Sequence, residues 1–253
     1  MLGSAVSDFS SVLEPAPGGL AERLGERSPT RRPILAGAAI TFVGYLVMTA
    51  LLLGLGLILT KLLVNGPVQT WDDSVERWFV TQRTTTLNSA SSVGSTLGAT
   101  FTVIGIAVAV SIVLALVRHW RQLGFLVAGL AVEASVALTT SIVVNRPRPD
   151  VVRLDAAPPT ASFPSGHTAA AVVLYVSLAL VLASSVRSAT LRALAWVLAI
   201  AIPIFVGASR LYRGMHQPTD VMGSVALGVG SLLFALLAVR TAASLVTDAE
   251  VLP

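Results

Sequence analysis

The sequence predicts an all-α, polytopic membrane protein: six transmembrane helices in a bundle, with a short interfacial helix in the first outer loop. Of its 253 residues, 54% are hydrophobic and only 12% are charged, and the mean hydropathy is +0.80. A soluble domain carries about 25% charged residues. Six apolar stretches also reach or approach the ~20 residues that a helix needs to cross a hydrocarbon core.

The six predicted spans follow one another along the chain. They cover residues 34–60, 97–117, 123–144, 168–185, 193–209 and 221–239. The fifth is short and contains Pro203, which predicts a kink because proline removes a helix hydrogen bond. The expected organisation is a flexible cytoplasmic tail at 1–30, a membrane domain at 31–240 and a short cytoplasmic tail at 241–253.

The even number of spans puts both termini on the same side of the membrane. Basic residues divide almost equally between the two sides, but the short connections at 118–122 and 186–192 carry Arg without any acid. This favours cytoplasmic placement of these connections and of both termini. The compact architecture and the Arg-rich usage, with a single Lys, suggest a bacterial plasma membrane.

The first outer loop contains an amphipathic stretch, WDDSVERWF, at residues 71–79. Apolar and charged side chains occupy opposite faces of a helix here: Trp71, Val75, Trp78 and Phe79 against Asp72, Asp73, Glu76 and Arg77. The pattern predicts a helix lying in the membrane interface with its Trp rings at head-group depth. An ordinary loop helix packed on protein fits the pattern equally well, and both interpretations stay open.

Three polar clusters meet on the outer side of this predicted topology. NRPRPD at 145–150 follows the third span, PSGH at 164–167 opens the fourth, and SRLYRGMHQPTD at 209–220 joins the fifth and sixth. Membrane insertion does not require such a convergence, whereas a shared site would produce it. We therefore expect one site built from all three clusters.

The residue types in these clusters predict a site for an anion, with phosphate favoured. Arg148 and Arg210 carry planar guanidinium groups that match phosphate oxygens. Ser165 and the backbone N–H of Gly166 stand at a predicted helix start, where unpaired N–H groups and the helix dipole attract negative charge. Gly166 also lets a ligand approach the backbone closely.

Two histidines add chemistry to this anion site. His216 is followed at i+4 by Asp220, so on a helix the carboxylate can hold one ring nitrogen and leave the other free to attack. His167 has no such partner in sequence and is available to protonate a leaving oxygen and then to activate water. Together with the surrounding Arg and N–H groups, they predict phosphoryl transfer without a metal.

These motifs resemble the signature of the type 2 phosphatidic acid phosphatase superfamily, whose integral membrane lipid phosphatases share an active site with vanadium haloperoxidases and bacterial acid phosphatases. The family signature is Lys, six residues and Arg-Pro; then Pro-Ser-Gly-His; then Ser-Arg, five residues, His, three residues and Asp. This chain has the second and third parts complete, and Arg148-Pro149 from the first. The resemblance covers roughly residues 70 to 240.

The resemblance implies a role for each motif residue. His216 attacks phosphorus to form a phosphohistidine, Asp220 orients it, and His167 gives a proton to the lipid oxygen. The phosphoryl oxygens are held by Arg148, Ser165, Gly166 and Arg210. No cofactor and no metal site are implied.

The chain departs from the family pattern at one position. Counting back seven residues from Arg148 reaches Ser141, where the family has Lys. A serine offers a hydrogen bond but no charge. Either Arg146 or Arg213 then compensates as an auxiliary phosphate-binding group, or the site binds phosphate less tightly, or the substrate has a different head group.

The predicted function is removal of a phosphate or diphosphate group from a membrane lipid at the outer face. Polyprenyl diphosphate is favoured, because an outward site suits recycling of a cell-wall carrier lipid, and phosphatidylglycerol phosphate and phosphatidic acid are further candidates. The expected partners are this lipid and the bilayer, and the sequence has no nucleic-acid-binding motif. The alternatives are a hydrolytic metal triad of His167, His216 and Asp220, a non-catalytic lipid-phosphate-binding protein, and a lipid translocator.

Two acids outside the motifs receive other interpretations. Glu133 lies in the middle of the third span, where a carboxylate is costly and usually faces the bundle interior. We expect a structural or interface-forming role for it. Asp155, in the loop after that span, is expected to be solvated.

Overall fold

The computed structural model describes residues 12–156 and 159–251, with side chains up to residue 246. Within these ranges the chain is helical and contains no strand, so the predicted all-α fold class is confirmed. The helices are α1 (Leu20–Glu26), α2 (Pro33–Leu57, continued by a π-helical turn at Ile58–Leu62), α3 (Pro67–Thr81), α4 (Thr85–Leu97), α5 (Thr100–Leu116), α6 (Trp120–Val144), α7 (Gly166–Ser185), α8 (Ala189–Tyr212) and α9 (Pro218–Val251).

Five of the described helices are long and apolar enough to cross a membrane, namely α2 with its π-helical turn, α6, α7, α8 and α9. The second predicted span, 97–117, corresponds to α5, which forms a bent pair with α4: the two helices meet at 45° and together bring the number of candidate spans to six. The fifth span is longer than predicted: α8 has 24 residues, with Pro203 inside it. It extends past the apolar run because Arg210 and Tyr212 at its end are buried in protein rather than in lipid.

Helix α7 forms the centre of the bundle and packs against α8, α9 and α6. It is the most buried of the candidate spans. Small side chains bring its neighbours close: Ala169 and Ala171 are fully buried, and Ala179 is nearly so. Small residues allow this close approach of helices in a membrane, where packing rather than apolar burial drives association.

Helix α3 confirms the helix predicted in the first outer loop, and it packs against α8 and α9. Its acidic face is turned inward, since Asp72 is 0% and Glu76 3% exposed, whereas Trp71 and Trp78 are 47% and 57% exposed. The helix therefore packs on protein through its acids and presents its Trp rings outward.

The segment expected to be a flexible tail is partly packed. Leu13 is buried in a cluster with Phe125 and Leu180, and Arg240 Nε donates to the Val12 carbonyl at 2.8 Å. Burial of Leu13 stabilises this arrangement, because apolar surface leaves contact with water. Residues 1–11 lie outside the described residues. At the other end, α9 continues to Val251, so the helix does not end near residue 240 as expected.

Candidate active site

A cavity of about 980 Å³ brings residues of all three polar clusters together. Its polar end is lined by Ser141, Arg148, Gly166, His167, Arg210 and His216. The cavity continues between α5 and α6, where its walls are mostly apolar and include Val108, Ile112, Leu130 and Leu138. It therefore joins a cationic, imidazole-bearing end to a cleft that matches hydrocarbon chains.

The start of α7 supplies backbone N–H groups to the polar end. Ser165 is extended and ends the preceding loop, and the first turn closes with Ala169 N–H donating to the Ser165 carbonyl at 3.1 Å. The N–H groups of Gly166 and His167 precede that bond and have no partner within the helix. A Cβ on Gly166 would meet nothing within 4 Å, so this backbone borders open space in the cavity.

The side chain of Ser165 does not share this position. It is fully buried, and its Oγ lies 3.1 Å from Thr168 Oγ1, one turn along α7. Its contribution to the cavity wall is therefore the geometry of the helix start, rather than its hydroxyl group.

His216 is held by a backbone carbonyl. Its Nδ1 lies 2.7 Å from the carbonyl oxygen of Ser162 and 3.7 Å from Asp220 Oδ2. Because a carbonyl only accepts, Nδ1 carries the hydrogen and Nε2 keeps its lone pair. The direct hold by Asp220 stays a prediction: the i+4 carboxylate lies close to the ring, and the nearer partner of Nδ1 is the carbonyl from the loop before PSGH.

Asp220 instead organises the loop and the helix start around His216. Its carboxylate accepts from Ser162 Oγ, from Gln217 N–H at 2.8 Å and from Arg146 Nη1 at 2.6 Å. Burial lowers the pKa of His216, and the nearby Asp220 carboxylate opposes that shift. The ring is therefore held neutral near pH 7, as a nitrogen nucleophile requires.

The two motif arginines both line the cavity and are held by different partners. Arg148 donates to the carbonyl oxygens of Met215, Thr160 and Ala161 at 2.6, 3.1 and 3.3 Å. Arg210 donates to Ser95 Oγ at 2.6 Å and to Asp155 Oδ2 at 3.1 Å. Their Nε atoms are buried without a hydrogen-bond partner among the described residues.

Both guanidinium groups belong to side chains that line the polar end of the cavity, together with His167 and His216. The pair therefore matches the anion site that the sequence predicts.

The two auxiliary candidates have other partners. Arg146 is 3% exposed and bridges Asp72 and Asp220, at 2.9 and 2.6 Å. Arg213 pairs with Asp155 at 2.5 Å and donates to the Asn88 carbonyl at 3.1 Å. Neither is among the side chains that line the cavity in the described part of the chain.

Ser141, at the family's Lys position, lines the cavity and acts on the loop beside it. Its Oγ accepts from Ala161 N–H at 3.1 Å. This bond fixes the backbone that also accepts from Arg148 and leads into Ser162. Ser141 therefore shapes the site through a hydrogen bond and brings no charge to it.

Four contributors to the site are absent from the sequence prediction: Asp72, Ser95, Asp155 and Ser162. Asp155 was expected to be solvated, but Arg213 donates to it and lowers the pKa of its carboxyl group. Its 29% exposed side chain ties Arg210 to Arg213. Glu133, expected to be structural, is buried and lines the apolar part of the cavity.

The residues proposed for a metal triad do not form one. No group of three His, Asp or Glu side chains in the described ranges could hold a metal ion. His216 Nδ1 is already bonded to a carbonyl, and Asp220 is engaged by Arg146 and Ser162. The donor geometry therefore argues against the hydrolytic metal site.

Comparison with known proteins agrees with the motifs. A model of the PAP2 superfamily matches residues 122–244. Phosphatidylglycerophosphatase B of Bacillus subtilis (strain 168) is 36% identical over 94 residues, which is 37% of this chain and 45% of that protein, less than half its length.

A solved structure is also similar. The crystal structure of the first transmembrane PAP2 type phosphatidylglycerolphosphate phosphatase from Bacillus subtilis superposes with a TM-score of 0.62. The match covers 88% of this chain and 98% of that chain at 22% identity, so it shows the shared fold. The resemblance predicted from the motifs is confirmed: the PAP2 superfamily model matches residues 122–244, which include every motif residue from Arg148 to Asp220.

Proposed function

We propose that this protein is a lipid phosphatase that removes a phosphoryl group through a phosphohistidine intermediate. One observation carries the proposal: two histidines, two arginines and the N-terminus of α7 line one end of a cavity whose other end is apolar. That arrangement presents a charged head group to the histidines while its hydrocarbon chains lie between α5 and α6.

In the proposed reaction, Nε2 of His216 attacks phosphorus while Nδ1–H donates to the Ser162 carbonyl. The P–N bond forms as the bond to the lipid oxygen breaks, and protonated His167 gives its proton to that oxygen. His167 then takes a proton from water, whose oxygen attacks phosphorus. The P–N bond breaks, its electron pair returns to Nε2, and inorganic phosphate leaves.

Two features support electrostatic stabilisation of this reaction. Arg148 and Arg210 both line the polar end of the cavity, where their guanidinium groups would share the phosphoryl oxygens. The N–H groups at the start of α7 add further donors without side-chain entropy cost. Such fixed donors stabilise charge that develops in the transition state, and removal of one typically slows catalysis by about 10²–10³-fold.

For the substrate, we favour phosphatidylglycerol phosphate over the polyprenyl diphosphate that the sequence suggests. The relatives with matching sequence and fold carry names that refer to this lipid. Polyprenyl diphosphate and phosphatidic acid remain second candidates, because the same site chemistry serves any lipid phosphate. We also propose that the site faces the outer side of a bacterial plasma membrane, with both termini in the cytoplasm.

The test is a phosphate-release panel with purified protein in detergent, with excess EDTA, on these three lipids. We expect turnover with at least one lipid, fastest with phosphatidylglycerol phosphate. His216→Ala should lose activity by at least about 10⁴-fold, since it removes the nucleophile. His119→Ala, in the turn before α6, is the matched control and should keep full activity.

Turnover by His216→Ala at the wild-type rate would exclude the proposed nucleophile. Lipid binding without phosphate release from any lipid would favour the non-catalytic alternative. Transfer of lipid between vesicle leaflets without phosphate release would favour the translocator.

A further inference from the structure

A buried arginine connects α3 to the proposed catalytic pair. Arg146 Nη2 donates to Asp72 Oδ2 at 2.9 Å, and its Nη1 donates to Asp220 Oδ1 at 2.6 Å. Asp72 and Asp220 are 0% exposed and Arg146 is 3% exposed. One guanidinium group is thus shared by two carboxylates away from water, where charge–charge interactions are strongest.

Asp72 makes a second set of contacts, with the first turn of α9. It accepts from the Thr219 N–H at 3.0 Å and from Thr219 Oγ1 at 2.6 Å. Thr219 directly precedes Asp220, so Asp72 fixes the backbone on which Asp220 stands. Asp72 therefore acts on Asp220 both through the chain and through Arg146.

From Asp220 the contacts continue to the nucleophile. Ser162 Oγ donates to Asp220, and the Ser162 carbonyl accepts from His216 Nδ1 at 2.7 Å. Asp220 Oδ2 also accepts from Gln217 N–H, next to His216 in sequence. The position of the Asp220 carboxylate thus determines where the ring of His216 is held.

We propose that Asp72 is a positioning residue for His216, acting through Arg146 and Asp220; the inference rests on the proposed phosphatase function. Asp72 on α3 binds Nη2 of Arg146, so that only Nη1 is available to Asp220. The Asp220 carboxylate then keeps its second oxygen for Ser162 and Gln217. Asp72 does not touch the substrate, since it lies outside the cavity lining.

Loss of the Asp72 charge has a defined structural consequence. Arg146 would retain Asp220 as its one carboxylate partner and would form a two-point contact with it, as guanidinium and carboxylate groups prefer. That contact competes with Ser162 for Asp220 Oδ2, and the carbonyl that holds His216 would shift. Loss of the Asp72 charge should therefore slow the chemical step and leave substrate binding unchanged.

The test is Asp72→Asn, which removes the charge and changes the volume little. With a detergent-solubilised lipid phosphate that the wild type hydrolyses, we expect kcat to fall about 10- to 100-fold, as small misplacements of reacting groups do. KM should stay within about threefold. Asp73→Asn is the matched control: Asp73 accepts from Gln69 at 2.7 Å, an amide can replace that acceptor, and activity should be unchanged.

Two further variants separate positioning from other roles. Thr219→Val removes the hydroxyl that donates to Asp72 and accepts from Arg146 Nη1 at 2.7 Å, but it keeps both ion pairs of Arg146, and kcat should stay within about threefold of wild type. Arg146→Lys keeps the positive charge, but an ammonium group lacks the planar fork that spans two carboxylates. Arg146→Lys should therefore lower kcat by about the 10- to 100-fold expected for Asp72→Asn. It keeps the proposal testable if Asp72→Asn folds poorly.

The kinetics of these variants distinguish a positioning role of Asp72 from other roles. Wild-type kcat in Asp72→Asn or Arg146→Lys would overturn the proposal. A raised KM with unchanged kcat in Arg146→Lys would instead indicate that Arg146 binds the phosphate directly. If Thr219→Val lowers kcat as much as Asp72→Asn does, Asp72 acts only by fixing the start of α9. If the wild type releases no phosphate from any lipid, the proposed function fails before this inference is reached.

Discussion

At the scale of single residues, Glu76 is a buried acid whose environment differs strongly from water. It lies on α3 beside Asp72 and is 3% exposed, with Oε1 lacking a hydrogen-bond partner among the described residues. Burial, followed by the charges of Asp73 and Asp72, raises the pKa of Glu76 to about 8. The folded protein therefore carries a neutral Glu76 near pH 7.

This raised pKa predicts a pH-dependent stability. In the unfolded chain Glu76 loses its proton near the ordinary glutamate pKa of 4.5, while the folded state keeps it to about pH 8. Folding thus binds a proton between these values, and stability falls as the pH rises through that window. The glutamine side chain of Glu76→Gln cannot ionise, so this variant should lack this part of the pH dependence of stability.

We expect the melting temperature of Glu76→Gln in detergent to exceed that of wild type by about 2–8 °C at pH 8, and by less at pH 5. Glu14→Gln, at an exposed glutamate, is the control and should follow the wild type at both values. A constant difference between Glu76→Gln and wild type from pH 5 to 8 would refute the proposed protonation.

At the level of single residues, the sequence predicts the motif residues of the site but not their distant partners. His167, Arg148, Arg210 and His216 line one cavity, and they come from the three polar clusters that the predicted topology brings together. The partners Asp72 and Asp155 were missed, because they lie more than 50 positions from the arginines they bind. Only packing brings such distant acids to a motif, and neither an Asp on an amphipathic helix nor one in a loop carries a local signal of it.

At the scale of secondary-structure elements, the break between α4 and α5 positions the start of α7. A Cβ on Gly98 would lie 2.7 Å from the His167 carbonyl oxygen and 2.7 Å from Val206 Cγ1. The backbone at His167 cannot move aside cheaply, because it forms the first turn of α7 at the cavity. The absence of a side chain at Gly98 thus lets the bent span pack directly against the proposed active site.

Gly98→Ala should therefore destabilise the protein by about 1–3 kcal/mol, the usual cost of overpacking. We expect the melting temperature to fall by several degrees and kcat to fall, because the first turn of α7 is displaced. Gly105→Ala in α5 is the matched control, since its Cβ would meet nothing within 4 Å. Unchanged stability and activity in Gly98→Ala would contradict the packing described here.

The sequence predicted the existence of the membrane helices better than their ends. Hydropathy located all six spans, but α8 extends to Tyr212, and the second span is preceded by α4, to which it is bent at 45° near Gly98. Polar residues at helix ends are buried in protein here, and a hydropathy pattern cannot distinguish this burial from exposure to water. The packing of residues 12–26 was missed for a related reason, since it depends on contacts with α6, α7 and α9.

At the scale of the whole molecule, three connecting segments at one end of the bundle build the polar end of the cavity, and α5 and α6 build its apolar part. Helix α3 caps this end by packing its acids against Arg146 and the start of α9. The histidines and arginines thus lie at one end of the cavity, and the walls that would contact hydrocarbon chains lie along the rest of it. A lipid could then react without leaving the membrane.

The central claim is that His216 becomes covalently phosphorylated within this cavity. The most direct measurement is rapid quenching of single-turnover reactions with phosphorus-labelled lipid, followed by peptide mapping of the labelled protein under alkaline conditions. We predict acid-labile label on the peptide that contains His216, formed and lost at rates compatible with turnover, and no label in His216→Ala. Turnover without a labelled enzyme, or label on His167 instead, would contradict the account.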